Sequence, residues 1–349
     1  MRSEDYICRM STGSDFWKLL KTLNFGRGIN VICLFLSFHL SRIFKASVHL
    51  GKPLSLSIEP TTACNLGCPE CPSGLKQFTR ATGKIDLIFH RELLNQVKNH
   101  VFYINYYFQG EPFLHPQFLD LIKEAKKNNI YTSTSTNAHF ISKEKALEIV
   151  SSGLDRLIIS IDGLTQETYS AYRVNGQLQK VIDGSKYLVS AKEELKSKTP
   201  HLIFQFLAVK PNEHEIPAIF SLAKELSIDE VRIKTAQLYN YRNGHSLMPQ
   251  NPKYSRYSLE KNGEYKLKGE QGNHCWRMWS GSVFTWDGLV VPCCFDKDAQ
   301  HVLGDLTKSS FIQIWKSQRY KDFRKAVIQA RKEIDICQNC SEGTKVFSE

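Results

Sequence analysis

The sequence predicts an α/β protein built on a parallel sheet. Short runs of apolar or β-branched residues alternate with amphipathic stretches of helical period from Leu54 to about Thr235, which is the pattern of repeated strand–helix units. Small and polar residues follow several of the predicted strands, and cysteines occur in two short-gap sets. The 349 residues, 42% of them hydrophobic, are enough for one large α/β domain and a smaller module.

The periodicity places strands and helices in strict alternation. The predicted strands are Leu54–Glu59, Phe102–Phe108, Ile130–Thr134, Leu157–Ile161, Leu202–Val209 and Glu230–Lys234. The predicted helices between them are Leu87–Asn99, Pro116–Asn128, Lys143–Ser152, Leu178–Lys192 and Glu213–Leu226. Six such units fall short of the eight that close a complete barrel. In parallel sheets of this kind, ligands bind at the carboxyl ends of the strands.

The most informative motif follows the first predicted strand and reads Cys64-Asn-Leu-Gly-Cys68-Pro-Glu-Cys71. This spacing lets one short loop bring three thiolates to one iron–sulfur cube and leaves the fourth iron open, whereas electron carriers use four cysteines. A zinc site is the alternative, but it needs a fourth ligand close by, and His49 and His90 lie well outside the loop. Disulfides fit badly, because the cysteines are clustered at short gaps and no credible secretory leader precedes them.

The cysteine loop resembles that of the radical S-adenosylmethionine (radical SAM) superfamily. The resemblance implies a partial (β/α)6 TIM-like barrel, and a [4Fe–4S] cluster on Cys64, Cys68 and Cys71 that binds S-adenosylmethionine (SAM). It also implies that the reduced cluster splits SAM into methionine and a 5′-deoxyadenosyl radical, which takes a hydrogen atom from the substrate. An electron donor such as flavodoxin or ferredoxin is then an expected partner.

Residues after the second predicted strand resemble the Gly-Gly-Glu-Pro element of the family, which holds the amino group of the bound methionine moiety. Here the chain reads Gln109-Gly110-Glu111-Pro112, so glutamine replaces the first glycine. A glycine lets the backbone approach a ligand closely, and a proline fixes the turn. An ordinary turn is the alternative, and the position at the end of a strand favours the SAM site.

Polar side chains after the third and fourth predicted strands are further candidates for SAM binding. As corresponding residues do in the family, hydroxyl, amide and carboxylate groups there can hydrogen-bond the ribose, and an arginine suits the methionine carboxylate. The candidates are Thr136, Asn137, Ser160, Asp162 and Arg173. Each of them alone is more often a cap or turn residue. Glu70 replaces the aromatic residue that many members carry before the third cysteine, so we assign no adenine contact.

The carboxyl-terminal third contains the second cysteine set. Gly288 and the apolar run after it predict a β-hairpin, and Phe311–Arg331 predicts one long amphipathic helix that returns the chain to the last cysteine pair. This arrangement resembles the SPASM/Twitch modules, which carry auxiliary iron–sulfur clusters. By that resemblance the ligands of one auxiliary [4Fe–4S] cluster are Cys275, Cys293, Cys337 and Cys340. A structural four-cysteine zinc site is the alternative.

Cys294 remains as a spare thiol in this assignment, because Cys293 stands at the Gly-x4-Cys position of the module. Its immediate neighbour can also supply the ligand, so the choice between the two stays open. Sulfatase-maturing relatives have a catalytic aspartate at the position of Cys294. The same base chemistry is therefore not expected here, and no general base is assigned.

Residues 1–53 predict a basic, apolar helical extension. They contain eight Lys or Arg against three Asp or Glu, which is nearly half of the formal excess of +11. The apolar run Val31–Phe38 is flanked by Arg27, Arg42 and Lys45, and it is shorter than the about 20 residues that span a bilayer. A helix packed outside the barrel is the favoured interpretation, and an in-plane helix on an anionic membrane surface is the alternative.

The segment between barrel and module completes the predicted organisation. Residues 239–274 are rich in Tyr, Arg, Asn and Gly but lack periodicity, which favours a connecting loop or a lid over the substrate. The candidate contacts in it are Tyr241, Arg242, His245, Arg256 and Tyr257. The predicted domains are the extension 1–53, the radical SAM core 54–238, the connecting segment 239–274 and the auxiliary module 275–349.

The sequence thus predicts a cytoplasmic radical SAM enzyme, since both clusters assemble in a reducing interior. A four-cysteine auxiliary cluster has no open iron, which favours electron transfer and a net oxidation. A small molecule is the favoured substrate, and a peptide or protein is the alternative. A non-catalytic iron–sulfur electron-transfer protein is the alternative of another class. Nucleic acid is not expected as a partner, because no RNA-binding signature accompanies the aromatic and basic residues.

Overall fold

The computed structural model describes residues 13–344 and Val346, so the first twelve residues of the predicted extension lie outside the described part. The strands are β1 (Ser55–Ile58), β2 (Tyr103–Asn105), β3 (Tyr131–Thr136), β4 (Arg156–Ser160), β5 (His201–Ala208), β6 (Glu230–Thr235), β7 (Tyr257–Leu259), β8 (Tyr265–Leu267), β9 (Gly281–Phe284), β10 (Leu289–Val291) and β11 (Gly304–Asp305). The α-helices are α1 (Gly13–Leu20), α2 (Phe25–Phe44), α3 (Pro72–Leu75), α4 (Leu87–Val97), α5 (Phe118–Lys127), α6 (Lys143–Ser151), α7 (Gln166–Tyr172), α8 (Leu178–Glu194), α9 (Ile216–Glu225), α10 (Trp276–Ser280), α11 (Phe311–Trp315), α12 (Gln318–Ala330) and α13 (Asp335–Gln338).

Most strands belong to one sheet. Its order is β11-β10-β9-β1-β2-β3-β4-β5-β6, and β1 to β6 pair in parallel in chain order, which confirms the predicted partial barrel. Strand β9 pairs in parallel with β1, and β10 and β11 follow it antiparallel. The predicted hairpin of the auxiliary module is therefore a direct extension of the barrel sheet.

The barrel elements form where the periodicity predicts them, with ends that differ by at most three residues. Side-chain caps set several helix starts. Asp86 accepts hydrogen bonds from the backbone N–H groups of Ile88 and Phe89 at the start of α4. Strand β4 is buried along its whole length, as expected for a central parallel strand covered by helices on its outer face.

One hydrophobic core runs from the barrel into the module. Phe284 of β9 packs against Phe311 of α11 with ring centroids 4.9 Å apart. Trp315 of α11 donates from Nε1 to the carbonyl of Gly51 at 3.0 Å. Apolar burial is the dominant stabilising term in such a contact, so barrel and module hold each other in place.

Helices α1 and α2 lie at the amino ends of the strands. In α1, the buried Asp15 accepts from Arg156 Nε at the start of β4, at 2.8 Å. In α2, Arg27 donates to the carbonyl of Lys98 at the end of α4 (2.7 Å) and to that of Asn129 shortly before β3 (2.9 Å). These contacts fasten both helices to the edge of the sheet opposite to the cysteine loop.

Two segments differ from the sequence-based expectation. The single helix expected over Phe311–Arg331 is wrong, because it breaks into α11 and α12 where Ser317 accepts from the N–H of Tyr320 and caps a new helix. The amphipathic pattern continues across the break and so conceals it. The connecting segment 239–274, expected without periodic structure, contains the antiparallel hairpin β7–β8.

Candidate functional site

The cysteine loop leaves the carboxyl end of β1 and is fastened on two sides. Gly67 N donates to the carbonyl of Val174 at 2.9 Å, and Glu111 N donates to the carbonyl of Ala63 at 2.7 Å. Helix α3 begins directly after the third cysteine, with Pro72 at its first position. The loop is therefore held between the turn after β2 and the segment after α7.

The three cysteines of the loop converge. Cys64, Cys68 and Cys71 pack in one cluster and are free thiols. Burial, with a smaller contribution from the neighbouring thiols, raises the pKa of Cys64 to about 11. In the described part of the chain, no three His, Cys, Asp or Glu side chains are placed to chelate one metal ion. Thiolates on a cube bind different irons, so these donors fit an iron–sulfur cluster better than a single zinc ion.

Gly110 lets the turn after β2 touch the cysteine loop. Its φ is +75°, and a Cβ atom there would lie 2.1 Å from the carbonyl oxygen of Thr61. Only glycine fits such a position. Gly110 N donates to Ser73 Oγ in α3 at 2.9 Å. Gln109, which replaces the first glycine of the family element, has its Oε1 3.9 Å from Cys71 Sγ, and Pro112 starts a short 3₁₀ turn.

Glu111 is buried and faces the end of β3. Its carboxylate accepts from Thr136 Oγ1 and from the N–H of Asn137, both at 2.7 Å. Burial raises the pKa of Glu111 to about 7, although these hydrogen bonds oppose the rise. A cationic group placed beside this carboxylate would compensate its burial, and the amino group of a bound SAM is such a cation.

Arg173 and Asp162 form an ion pair beside the loop. Arg173 Nε donates to Asp162 Oδ2 at 2.5 Å, and Arg173 Nη1 lies 3.8 Å from Cys68 Sγ. Asp162 also accepts from the N–H of Leu207 at 2.7 Å, which ties the pair to β5. Ser160 ends β4 and is buried nearby in the sheet. The fold brings these residues to the same edge as the cysteines, and their contacts to SAM stay predictions.

Two residues inside the cysteine loop make contacts that the sequence reasoning missed. Asn65 Oδ1 accepts from Asn137 Nδ2 at 2.7 Å, which links the loop to β3. Glu70 Oε2 accepts from the N–H of Tyr239 at 2.8 Å, and Glu70 Oε1 lies 3.2 Å from His245 Nε2. The acidic residue at a position that the family usually fills with an aromatic was the signal that a polar partner lies nearby. Glu70 therefore joins the loop to the connecting segment.

The second cysteine set converges in the module. Cys340 interacts electrostatically with each of the other predicted ligands, Cys275, Cys293 and Cys337, and burial raises the pKa of all four thiols, to about 12 for Cys275. Arg331 Nη2 donates to Cys340 Sγ at 3.4 Å, and Arg331 Nη1 donates to the carbonyl of His274 at 2.7 Å. A guanidinium that holds both a thiol and the surrounding backbone suits thiolates on an auxiliary cluster. The individual ligands stay predictions.

Cys294, the chain neighbour of Cys293, interacts electrostatically with both Cys293 and Cys340. It packs with Phe108, Val283 and Val291 in a small apolar cluster. Arg277 Nη1 lies 3.8 Å from its sulfur. Cys294 thus lies between the β9–β10 hairpin and the turn after β2, close to the predicted ligands, and its interpretation as a spare thiol stays a prediction.

The connecting segment covers a cavity of about 780 Å³ with mixed polar and apolar walls. Gln237 and residues 239–244 form one wall, and the module forms the other with Phe295, Asp335, Ile336, Gln338 and Asn339. Of the predicted contacts, Tyr241 and Arg242 reach this cavity, whereas Arg256 donates to the carbonyl of Thr235 at 3.1 Å. Tyr257 stacks on Tyr241 and its hydroxyl donates to Asn339 Oδ1 at 2.8 Å, which fixes the segment to the module.

Two family profiles match the chain. The profile described as the radical SAM superfamily matches residues 58–206, and the SPASM profile, described as an iron–sulfur cluster-binding domain, matches residues 275–341. The chain belongs to the radical SAM superfamily. The two matched ranges contain the two cysteine sets described above.

Known proteins and solved structures are similar to this radical SAM protein. The tungsten-containing aldehyde ferredoxin oxidoreductase cofactor-modifying protein of Pyrococcus furiosus is 25% identical over 316 residues, which covers 82% of this chain and 86% of that protein. The PqqA peptide cyclase of Gluconobacter oxydans is 27% identical over 212 residues, which covers 60% of this chain and 56% of that protein. SuiB of Streptococcus suis bound to S-adenosylmethionine has a TM-score of 0.63 at 16% identity, over 88% of this chain and 76% of that chain. This structural similarity shows the fold alone.

The family, the fold and the cofactors expected from the sequence are thereby confirmed. This radical SAM enzyme uses a SAM-binding [4Fe–4S] cluster, SAM and auxiliary iron–sulfur chemistry in its SPASM region. Neither cysteine set is retained as a zinc site. The open three-cysteine loop and the family assignment also set aside the non-catalytic electron carrier.

Proposed function

We propose that this radical SAM enzyme oxidises its substrate by two electrons. One observation carries the proposal: β9 of the module pairs directly with β1, residue for residue from Ser55↔Gly281 to Ile58↔Phe284. The SAM-binding loop follows β1, and Cys293 follows β10, the partner of β9. The cysteine loop and Cys293 are therefore attached to β1 and β10, which lie on either side of β9 in one sheet, and this connection keeps their separation constant for electron transfer.

The cofactors supply the radical chemistry. When bound, the SAM-binding cluster would be held by Cys64, Cys68 and Cys71 and would supply the electron that cleaves SAM, and the auxiliary cluster would be held by Cys275, Cys293, Cys337 and Cys340 and would accept one electron. The substrate would thereby lose one hydrogen atom, one electron and one proton, which is a two-electron oxidation. Flavodoxin or ferredoxin is the proposed electron donor for the first step.

The protein orients SAM through groups at the strand ends. Glu111 offers its buried carboxylate to the amino group of SAM, and Gly110 lets the backbone approach it. Arg173, beside Cys68, offers its guanidinium to the carboxylate. Thr136 and Asn137 hold Glu111 in place through the hydrogen bonds described above.

The connecting segment excludes water from the reacting groups. Glu70 holds the N–H of Tyr239, and Tyr257 holds Asn339 between Cys337 and Cys340. The segment is thereby tied to both cysteine sets at once. A cover fixed at both ends protects a reactive radical from solvent and oxygen.

A polar small molecule is the proposed substrate. The cavity of about 780 Å³ below the connecting segment has the size of a small-ligand site. Its walls carry amide, guanidinium and carboxylate groups, among them Asn240, Arg242 and Asp335, which suit a polar ligand. Modification of a peptide is the second candidate, because the similar protein of Gluconobacter oxydans is named a peptide cyclase and side-chain amides also recognise peptide backbone.

Release of 5′-deoxyadenosine tests the activity. We expect the anaerobically reconstituted, dithionite-reduced protein to release it from SAM, and a variant with Cys64, Cys68 and Cys71 all replaced by Ala to release none. Lack of release by the iron-loaded parent protein would overturn the radical SAM assignment of these cysteines.

The oxidation has its own test. A variant with Cys337→Ala and Cys340→Ala should lose iron and stop product formation while SAM cleavage continues. Cys294→Ala is the matched control, because this thiol is assigned to no cluster, and it should keep the parent's iron content. Product formation without the second cluster, or consumption of one external reducing equivalent per product, would contradict a net oxidation.

Testing fractions of cell extract for stimulation of SAM cleavage distinguishes the two substrate classes. A small-molecule substrate should stimulate 5′-deoxyadenosine release from the low-mass fraction, and protease treatment should leave that stimulation unchanged. Stimulation that disappears after protease treatment would establish the peptide instead. We also propose a cytoplasmic location, because both clusters need a reducing interior.

A further inference from the structure

The outward face of α2 is apolar along its length. Five large side chains recur on it at helical spacing, and each is at least 46% exposed. They are Phe25, Ile29, Ile32, Leu36 and Ile43. A surface helix normally carries polar residues on the face opposite to the core. The opposite face of α2 does meet the core, where Leu34 and Phe38 are buried, so the exposed stripe is an additional apolar surface.

The segment that carries this stripe has positive charge only. Between Asp15 and Glu59 the sequence contains no acidic residue, and both of these are buried in ion pairs. Exposed cations flank both ends of α2: Lys21 before it, and Arg42, Lys45 and Lys52 at or after its last turn. Trp17, before α2, and Leu50, after it, are also large exposed apolar side chains, at 64% and 66%.

The helix is not free to cross a bilayer. The expectation that this apolar segment is too short to cross one is wrong, because α2 has 20 residues and is long and apolar enough by length and composition alone. Phe38, however, packs against Trp276 and Trp279 with ring centroids 5.3 and 5.6 Å apart. The buried Arg27 donates to carbonyls of the barrel, as described above. Spanning would break these contacts and bring a guanidinium into hydrocarbon, which is costly.

We propose that α2 docks this protein in the plane of an anionic lipid surface. The stripe from Phe25 to Ile43 is about 27 Å long at 1.5 Å per residue and enters the boundary between headgroups and acyl chains. The lysines and arginine at its ends then meet the anionic headgroups. A second copy of this chain is a poorer occupant, because two antiparallel stripes would bring cationic ends together.

Docking in this way leaves the catalytic edge accessible. Arg27 binds carbonyls that precede β2 and β3, and the N–H of Leu54, just before β1, donates to the carbonyl of Ser280. The helix therefore lies at the amino ends of the strands, whereas the cysteine loop follows the carboxyl end of β1. Substrate and electron donor then reach the site from the aqueous side.

Vesicle flotation of the full-length holoprotein tests the proposal. The parent should float with vesicles that contain phosphatidylglycerol and much less with pure phosphatidylcholine. The triple variant Phe25→Ser, Ile32→Ser and Leu36→Ser should lose about tenfold or more of the binding, because it removes most of the inserted apolar surface. These side chains are exposed, so folding should be unaffected. The matched control replaces three other exposed apolar side chains, Ile88, Phe220 and Leu259, by Ser and should float like the parent.

The outcomes separate the possible occupants. The neutralised variant Arg42→Gln, Lys45→Gln and Lys52→Gln should lose the preference for anionic vesicles. Failure of the parent to float, or equal loss in the control, would overturn the proposal. The proposal would also be overturned if light scattering showed a dimeric parent and a monomeric stripe variant, because a second copy would then cover the stripe. SAM cleavage by the same samples should be equal in all variants, which keeps this test independent of the proposed catalysis.

Discussion

Replacing Gly110 by alanine should separate the SAM site from the rest of the fold. Gly110 has φ +75°, and an added Cβ would lie 2.1 Å from the carbonyl oxygen of Thr61 and 2.9 Å from that of Ala63. The backbone conformation costs alanine about 1–2 kcal/mol, and relief of the overlap costs about 1–3 kcal/mol more. The relief must move the backbone directly before Cys64. We therefore expect Gly110→Ala to be less stable by about 2–5 kcal/mol.

SAM cleavage should fall together with stability. A displacement of about 1 Å at a reacting group can cost about 100-fold in rate, so SAM cleavage should fall by about that factor. Iron content per chain should fall as well, because the loop that carries the three thiols is displaced. The assays are 5′-deoxyadenosine release, iron analysis and denaturant unfolding on the same preparations.

Gly153→Ala is the control for the conformational cost of alanine at a positive φ. Gly153 has φ +80°, but its added Cβ would meet only the flexible side chain of Lys126, at 3.4 Å. The Gly153→Ala variant should lose about 1–2 kcal/mol of its free energy of unfolding and keep its iron content and its SAM cleavage. Ser73→Ala, which removes the hydroxyl bonded to Gly110 N, is a milder change in the same contact if Gly110→Ala does not fold. SAM cleavage by Gly110→Ala and Ser73→Ala within about twofold of Gly153→Ala would refute the reasoning.

Three further predictions concern stability. Arg80→Met should lower the free energy of unfolding in a urea titration by about 3–5 kcal/mol, because it leaves the carboxylate of Glu59 buried and unpaired. The control Arg91→Met breaks an exposed ion pair and should lower it by less than about 1 kcal/mol. Burial lowers the pKa of His90 to about 3, so only the unfolded chain takes up its proton below about pH 6.5. The stability that neutral His90 contributes is therefore present above pH 6.5 and is lost on acidification, by about 2 kcal/mol between pH 7 and pH 5. His90→Gln should make the free energy of unfolding depend less on pH in this range. An unchanged pH dependence would contradict the prediction. Tyr257→Phe removes the hydrogen bond to Asn339, which lies between the last two cysteines. It should lower the free energy of unfolding by about 1–2 kcal/mol and make the protein lose iron faster to a chelator. An unaltered rate of iron loss would show that this hydrogen bond does not stabilise the auxiliary cluster.

The barrel was predictable because its signals are local. Parallel strands covered by helices read as short apolar runs, and each helix shows its period within a few turns. The cysteine loop was predictable for the same reason, since its three thiols lie within eight residues of sequence. The break between α11 and α12 was not, because a cap at Ser317 interrupts the helix without changing the apolar pattern.

Long-range contacts limited the prediction of the site. The sequence predicts no partner for Glu70, yet this residue contacts Tyr239 and His245, about 170 residues away. The hydrogen bonds that hold Glu111 come from another strand end. Such pairs leave no periodic mark, because their members are brought together only when the sheet forms.

The sequence by itself determined the class of fold, the family and the two cysteine sets, since each depends on residue spacing within short segments. Only the tertiary structure decided that β9 joins the barrel sheet beside β1, because strand pairing depends on which edges meet in space. It also decided that α2 has two apolar faces and buries one of them. A hydrophobic run fixes how much apolar surface a helix has, whereas the packing of the whole chain decides which part of that surface remains exposed.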